Sequence, residues 1–317
     1  MGSTAPNPMV GCVIVVEDEI IAEGYTSPYG SAHAEVNAIN AVKDVSLLPK
    51  ATLYVTLEPC AHFGRTPPCS DLILAHKIPK VVIGCVDTNE KVHGKGIAKL
   101  KAAGCEVIVG VLEDACKTHH KRFFTYHAKK RPYIILKWAE SNDGFIAPLS
   151  KSEIKPVWIS NSYSRQVVHQ WRAEEQAILV GANTVVQDNP SLTTREVEGS
   201  NPTRIVIDLK NSLEETYQVF NSEAKTIRLT ADTIDLQKPL ASEVCKVLHS
   251  HQINSVIVEG GQKTLQAFID ENLWDEARIF SSDLNLDNGI QKPHINGTLS
   301  SERSIGSDCL KILLNYV

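Results

Sequence analysis

The apolar residues of the first part of the chain keep two different periods, and each period marks its own kind of element. Val10–Val16 and Ile20–Tyr25 are β-rich runs around the polar Glu17-Asp18-Glu19, which signals a hairpin. Val36, Ile39 and Val42 recur at helical spacing, so Ala34–Val42 is predicted as a helix with His33 and Glu35 at its first turn. The positive end of that helix suits a carboxylate. Ala51–Leu57 alternates as a buried strand, and Cys69 stands where the next helix, Ser70–His76, opens. Strands at Lys80–Val86 and Glu106–Val109 flank a helix running from Gly94-Lys95-Gly96 through Ala103, and Leu112–Tyr126 reads as a final helix. Strands alternating with helical patterns predict a layered α/β/α domain with a largely parallel sheet.

Lys129-Lys130-Arg131-Pro132 reads as a short, solvated basic connector, and it divides the chain into domains 1–129 and 130–317. Beyond it, Tyr133–Ala139 is a predicted strand, followed by the turn Glu140-Ser141-Asn142-Asp143-Gly144. Asn161–Arg172 is predicted helical, with Ser160 or Asn161 as cap and Val167, Val168 and Trp171 on its apolar face. Strand-like runs follow at Ala177–Gly181, Arg204–Asp208, Lys225–Leu229, Ser255–Glu259 and Ala277–Ser281. Helical patterns at Pro239–His249 and Lys263–Asn272 lie among them, and Cys309–Tyr316 reads as a terminal strand. A second α/β domain is expected.

Composition narrows the classes. The 317 residues accommodate two ordinary domains, and 43% hydrophobic against 22% charged residues suits folded domains with full cores. No apolar run reaches the roughly 18 residues of a membrane span and no signal peptide precedes the first strand, so no membrane partner is expected. Eight cysteines without a disulfide-like spacing, two of them in a metal-ligand pattern, point to a reducing cytoplasm. Net charge is −5, and up to residue 128 there are 12 Lys and Arg against 13 Asp and Glu. A protein that edits tRNA or DNA carries a basic footprint, so this balance favours a small-molecule substrate over nucleic acid.

The chemistry concentrates in Leu57-Glu58-Pro59-Cys60-Ala61-His62-Phe63-Gly64-Arg65-Thr66-Pro67-Pro68-Cys69, read together with His33-Ala34-Glu35 upstream. One His and two Cys, with a carboxylate two residues beyond the His, is the ligand set of a catalytic zinc. His33, Cys60 and Cys69 would bind the metal and leave the fourth tetrahedral position for water. Zinc lowers the pKa of that water to roughly 7, and Glu35, which does not bind it, can shuttle protons. His-x-Glu followed by Pro-Cys is the signature of zinc-dependent base deaminases. A structural site would want a fourth strong ligand; His62 offers one but is awkwardly close to Cys60. Asn7, between two prolines at the lip of the first strand, can pair its amide with a base-like ring or simply form a turn.

Cys-x8-Cys enclosing Gly64-Arg65-Thr66-Pro67-Pro68, with Pro6-Asn7-Pro8 and His33-Ala34-Glu35, closely resembles the riboflavin-biosynthesis deaminase-reductase family. Generic cytidine and tRNA deaminases use a tighter Cys-x2-Cys. The resemblance implies a cytidine-deaminase-like first domain in which His33, Cys60 and Cys69 hold zinc and Glu35 is the proton donor and acceptor. It implies a diaminopyrimidinone ribosylamine 5′-phosphate as substrate, which loses an exocyclic amine as ammonia. Arg65 is a candidate phosphate or ring contact, with a solvated loop arginine as the alternative. The family carries a further helix ahead of Pro6-Asn7-Pro8, where this chain has four residues before Ala5, so packing on one sheet face is expected to differ. It also reads Pro-Asn-Pro after the residue matching Asp87, where this chain has Thr88-Asn89-Glu90.

In the second domain, Val258-Glu259-Gly260-Gly261-Gln262-Lys263-Thr264 falls at a strand-to-helix junction, where glycines permit close backbone approach and the helix N-terminus suits a phosphate; a plain turn is the alternative. No Gly-x-Gly-x-x-Gly occurs, so a standard Rossmann site is not supported. Lys137-Trp138-Ala139-x-Ser141-x-Asp143-Gly144, Val180-Gly181-Ala182-Asn183-Thr184, Asp188-Asn189-Pro190-Ser191-Leu192-Thr193-x-Arg195 and Glu259-Gly260-Gly261 match the family's reductase half in order. That half is similar to the dihydrofolate reductase fold and implies NADPH. By that resemblance Ala139, Trp158, Thr184, Gly261, Gln262, Lys263 and Thr264 contact NADPH, while Arg172, Asp188, Leu192, Arg195 and Glu259 face substrate. Asp188 would orient or protonate the open-chain sugar, with Lys137 helping to hold it. Residues 151–156 depart from the serine-containing pattern expected before Trp158. The expected protein is therefore a bifunctional deaminase and reductase acting on a phosphorylated pyrimidine, assembled as a homo-oligomer (dimer or tetramer). The rival readings are a deaminase whose second domain only binds ligand or assembles subunits, and a zinc-stabilised nucleic-acid binder, which the charge opposes.

Overall fold

The computed structural model describes residues 4–63, 67–89 and 93–315. It divides into two compact units, one ending at Lys130 and the other beginning at Arg131. The first contains β1 (Gly11–Val16), β2 (Glu19–Tyr25), α1 (Ala34–Ala41), β3 (Thr52–Leu57), α2 (Cys69–Ala75), β4 (Lys80–Cys85), α3 (Lys95–Ala102), β5 (Glu106–Val109), α4 (Glu113–His119) and α5 (Lys121–Lys129). Its sheet runs β2-β1-β3-β4-β5, with β3, β4 and β5 parallel and β1 antiparallel to both neighbours. Four of its five strands therefore point the same way, as expected, and β1 alone runs against them. The tight turn at Glu17 and Asp18, both left-handed at φ 51° and 64°, folds β2 directly back on β1.

α1 shows what decides a buried face. The helix buries Ala34, Glu35, Ala38 and Ile39, while Val36 is only half-buried. Gly24 of β2 explains the choice: a Cβ there would lie 2.3 Å from Ala38 N and 2.4 Å from Ala34 O. Backbone approach that close demands small residues at the contact, and the alanines take it in place of the valine. The expected single helix over Leu112–Tyr126 is instead two, broken at His120. That side chain is buried, with Nε2 3.2 Å from Thr56 Oγ1 on β3, so the chain turns where the imidazole enters the core.

The second unit contains β6 (Tyr133–Glu140), β7 (Phe145–Pro148), α6 (Ser162–Glu174), β8 (Ala177–Gly181), α7 (Ala182–Asp188), β9 (Thr203–Ile207), β10 (Thr226–Leu229), α8 (Leu240–Ser250), β11 (Ser255–Val258), α9 (Gln262–Asp270), β12 (Glu276–Ser281), β13 (Gly289–Gln291), β14 (Thr298–Ile305) and β15 (Asp308–Leu314). Among the described residues its main sheet has eight strands in the order β10-β9-β8-β11-β6-β12-β15-β14. Six run parallel, and β15 and β14 close one edge antiparallel. β8, β11 and β6 are buried along nearly their whole length, as parallel strands covered on both faces must be. Asn161 caps α6 by accepting from Ser164 N at 3.0 Å.

Three features depart from the sequence expectation. β14, Thr-Leu-Ser-Ser-Glu-Arg-Ser-Ile, is exposed almost throughout and pairs only with β15, so it carries no apolar alternation to betray it. α7 is one short helix directly abutting β8, with Val185 as its buried residue. Arg131 is not part of a solvated linker: it is buried and bidentate on Asp275, at 2.5 and 2.9 Å. Asp275 also accepts from Ile134 N at 2.9 Å, which ties the start of β6 to the residue before β12. Among the described residues no helix is long and apolar enough to cross a membrane.

Candidate active site

In the first unit two element starts and one strand end meet. His33 is the residue before α1, Cys69 is the first of α2, and Cys60 lies just past β3. His33 Nδ1 lies 3.3 Å from Cys69 Sγ and 3.7 Å from Cys60 Sγ, and the three ligand atoms all fall within 4.8 Å of one another. Tetrahedral zinc with arms of about 2.3 Å to sulfur and 2.05 Å to nitrogen sets its ligands roughly 3.6–3.8 Å apart. The donor set fits the metal in type and in spacing. Exposed His62 is not a member of the cluster among the described residues.

Electrostatics point the same way. The Cys69 thiol holds Cys60 well below the usual thiol range, helped by His33, whereas Cys60, burial and Glu35 push Cys69 far upward. Two sulfurs this close share one proton unless a cation stands between them. Glu35, in the first turn of α1, is 4% exposed; burial, then the charge of Cys60, pushes its carboxyl up to about 7. A buried acid titrating near neutrality, next to a metal-ligand set, can both take and give a proton. Asn7 sits in the turn ahead of β1, half-buried, its N–H donating to Thr4 O at 2.9 Å. Arg65 lies outside the described residues.

A residue that motif reading quoted without a role holds the site together. Glu58 is 4% exposed. Its Oε1 accepts from Gly96 N at 2.9 Å and Ile97 N at 3.2 Å, and its Oε2 from Gly94 N at 2.9 Å and Asp87 N at 3.3 Å. The carboxylate therefore seals the positive end of α3. A Cβ on Gly96 would stand 1.9 Å from Pro59 O, so glycine is what lets this segment lie against the helix start. Cys60 is thereby fixed from behind, while its carbonyl accepts from Ser70 N and its sulfur from Cys69 N. The signal was present as a Glu before Pro-Cys and a Gly-x-Gly at a helix start; only the fold joins them.

The second unit gathers a row of buried charges. Glu259, just past β11, accepts from Arg172 Nη2 of α6 at 2.9 Å, and Lys137 Nζ of β6 is 4.0 Å from its other oxygen. Burial pulls the Glu259 carboxyl upward, but Arg172 and Lys137 together overcome that and hold it down to about 2. Arg172 Nε and Glu259 Oε1 are buried without a hydrogen-bond partner, an unusual expense that functional sites carry. Arg172 Nη1 also donates to Thr193 O at 3.3 Å, beside buried Leu192, whose φ is +55°. Arg195 Nη1 donates to Thr193 Oγ1 at 3.0 Å. Arg172, Glu259, Lys137 and the 192–195 turn are thus one cluster, with two guanidiniums whose planar forks suit a phosphate.

His169, one turn before Arg172 on α6, was missed because a lone histidine on an apolar helix face carries no signal of its own. Its Nδ1 accepts from Arg195 N at 2.9 Å, so it anchors the turn. Burial, then Arg172 and Arg195, hold the ring down to about 4, and it is neutral at physiological pH. Asp188, the last residue of α7, pairs with Lys151, while Lys137 pairs with Glu259; the ammonium that holds Asp188 is therefore not that of Lys137.

Next to this cluster in sequence, Thr184 Oγ1 accepts from Gly261 N at 3.0 Å, joining α7 to the start of α9. A Cβ on Gly260 would lie 3.0 Å from Thr184 Oγ1, and one on Gly181 2.9 Å from Thr264 Oγ1. The glycines at two adjacent strand ends thus make room for the Thr184 and Thr264 side chains, and the helix start that follows, with Gln262 and Lys263 in its first turn, offers N–H groups to an anion. Ala139 is half-buried on β6. Trp158 is 58% exposed, with the Arg165 guanidinium 4.8 Å above its ring, and so is not a core residue.

Comparison with known proteins agrees with both halves. Residues 1–85 match the cytidine and deoxycytidylate deaminase zinc-binding region, and residues 132–286 match the RibD C-terminal domain. The chain is 41% identical to the riboflavin biosynthesis protein RibD of Aquifex aeolicus over 88% of its own length and 82% of that protein's. It is 37% identical to RibD of Actinobacillus pleuropneumoniae, over 100% of this chain and 91% of the relative. The crystal structure of a diaminohydroxyphosphoribosylaminopyrimidine deaminase/5-amino-6-(5-phosphoribosylamino)uracil reductase from Thermotoga maritima superposes with a TM-score of 0.90 at 36% identity, covering 100% of this chain and 94% of that one. A structure of Acinetobacter baumannii RibD gives 0.86 at 31% identity, over 98% and 93%.

Two outcomes follow from this geometry. Glu58→Ala should weaken zinc binding by about 10- to 100-fold, as removal of supporting groups does at other metal sites; chelator competition measures it, and unchanged affinity would separate Glu58 from the site. His169, with a folded pKa below its ordinary value, contributes stability above about pH 6.5 that is lost as pH falls toward about 4. His169→Asn, which keeps an acceptor but cannot protonate, should flatten the urea-unfolding free energy across that window. A slope equal to the parent's would place the acid sensitivity elsewhere.

Proposed function

The chain belongs to the RibD family of riboflavin biosynthesis proteins, and from that membership we propose which residues of each unit do the chemistry. It is a bifunctional enzyme with zinc and NADPH as cofactors. The first reaction is hydrolytic deamination of 2,5-diamino-6-(5-phosphoribosylamino)pyrimidin-4(3H)-one. The second reduces the ribosyl side chain of 5-amino-6-(5-phosphoribosylamino)uracil to ribityl.

In the first unit His33, Cys60 and Cys69 hold zinc, which when bound makes water nucleophilic near neutral pH. Glu35 accepts the proton that the attacking water gives up. It passes that proton to the ring nitrogen, then takes a second from the newly added hydroxyl and gives it to the departing amine, so that the carbonyl forms and neutral ammonia leaves. Burial raises this carboxyl above the ordinary carboxylate range, which suits a group that must give back the proton it takes. Asn7 and Arg65 are assigned to the pyrimidine and its phosphate.

In the second unit NADPH supplies the hydride. Thr184 and the segment from Gly261 through Gln262 and Lys263 to Thr264 cradle the cofactor, with Ala139 and Trp158 alongside. Arg172 and Arg195 take the substrate phosphate, Leu192 and Glu259 bound the site, and Lys137 steadies Glu259. Asp188 faces the positive charge that develops at C1′ and its nitrogen. We further place the enzyme in the cytoplasm, where thiolate ligands stay reduced, and assign it a homo-oligomeric state without nucleic-acid partners, in keeping with its negative net charge.

The observation that carries this reading is the convergence of His33, Cys60 and Cys69 beside buried Glu35. A coupled assay tests it: ammonia released and NADPH oxidised should be equal in amount. Ammonia without NADPH oxidation would reduce the second unit to a binding module. Glu35→Gln should keep its zinc and lose ammonia release by about 100- to 10,000-fold; parental rates would remove Glu35 from its role.

A further inference from the structure

Lys151 lies outside every motif that points to function, yet it is the group that meets Asp188. Its Nζ is hydrogen-bonded and ion-paired to Asp188 Oδ1, and it also donates to Lys155 O at 3.3 Å. The lysine side chain is only 11% exposed and the aspartate 25%, so this is no solvent-screened surface pair. The pair ties two pieces of backbone: the turn at 151–155, which leads to Trp158, and the C-terminal end of α7, whose other functional candidate is Thr184. Lys137, the other buried lysine of this unit's candidate site, is engaged at Glu259 instead.

We propose that Lys151 is a positioning residue for reduction, holding the Asp188 carboxylate aimed at the reacting carbon. This rests on the reading of Asp188 given above. In the reduction the C1′–O4′ bond of the sugar breaks and O4′ takes up a proton. The C1′–N unit becomes cationic, and hydride from NADPH forms the new C1′–H bond. A carboxylate held near C1′ stabilises that cation, and one that swings away does so less. Lys151 does not touch the substrate in this account; it acts through Asp188. Its loss therefore falls on an interaction that strengthens as the cation forms, and so on kcat rather than KM.

The test uses the full chain with zinc bound, 5-amino-6-(5-phosphoribosylamino)uracil as substrate, and NADPH oxidation as readout. Lys151→Met should lower kcat for reduction by about 10- to 100-fold with KM for the substrate within about twofold, the scale of one lost charge-assisted hydrogen bond. Lys151→Arg should restore most of kcat, since it returns the cation. Lys151→Met combined with Asp188→Asn should be no slower than Asp188→Asn alone. Thermal midpoints of Lys151→Met and Lys151→Gln control for folding; equal kcat loss in both at parental midpoints counts for the proposal. Unchanged kcat in Lys151→Met overturns it. A rise confined to KM overturns it too, by making Lys151 a direct phosphate contact. Losses that multiply in the double variant would show Lys151 acting independently of Asp188. Parental turnover in Asp188→Asn would sink the reading of Asp188 itself, a result distinct from any of these.

Discussion

Two sulfurs and an imidazole nitrogen held within 4.8 Å of one another make a concentration of lone pairs that a protein interior does not tolerate unaided. A divalent cation resolves the conflict, and much of the first unit is arranged to make the conflict possible. Gly24 lets α1 press on β2 and so sets His33 and Glu35. Glu58 binds the start of α3 and fixes Pro59-Cys60, and Cys60 in turn receives the first N–H groups of α2. Three candidate ligands from three segments depend on two glycines and one carboxylate outside the cluster.

The second unit answers a different demand. A phosphorylated, ring-opening sugar needs cations for its phosphate and an anion for its developing charge, all out of bulk water. Here Lys137 and Arg172 converge on the single carboxylate of Glu259, which leaves positive charge in excess, and the turn at 192–195 is pinned by Arg172 from one side and neutral His169 from the other. Arg172 Nε and Glu259 Oε1 are buried without a hydrogen bond, and Lys137 faces the latter at 4.0 Å.

How much of this was legible beforehand depends on how local each signal is. His33, Glu35, Cys60 and Cys69 announce themselves by residue type and short spacing, and the main strands by apolar runs. Glu58 and Gly96 were both visible, but their partnership spans 38 residues and no pattern links them. α1 is legible as a helix from its period, but nothing local shows that its close contact with Gly24 falls on Ala34 and Ala38 rather than on Val36. β14 was silent because an edge strand exposed along its length has no reason to alternate. Lys151 was passed over for the same reason as His169. A single polar residue acquires meaning only from the partner that the fold brings to it.

The metal's own coordination shell is the most direct probe of the central claim. Zinc K-edge absorption spectroscopy on the purified enzyme should return two sulfur neighbours at about 2.3 Å and two nitrogen or oxygen neighbours at about 2.0–2.1 Å, one of them exchangeable solvent. A shell with three or four sulfurs, or four protein ligands and no solvent position, would contradict an open hydrolytic site and the deamination assigned to it.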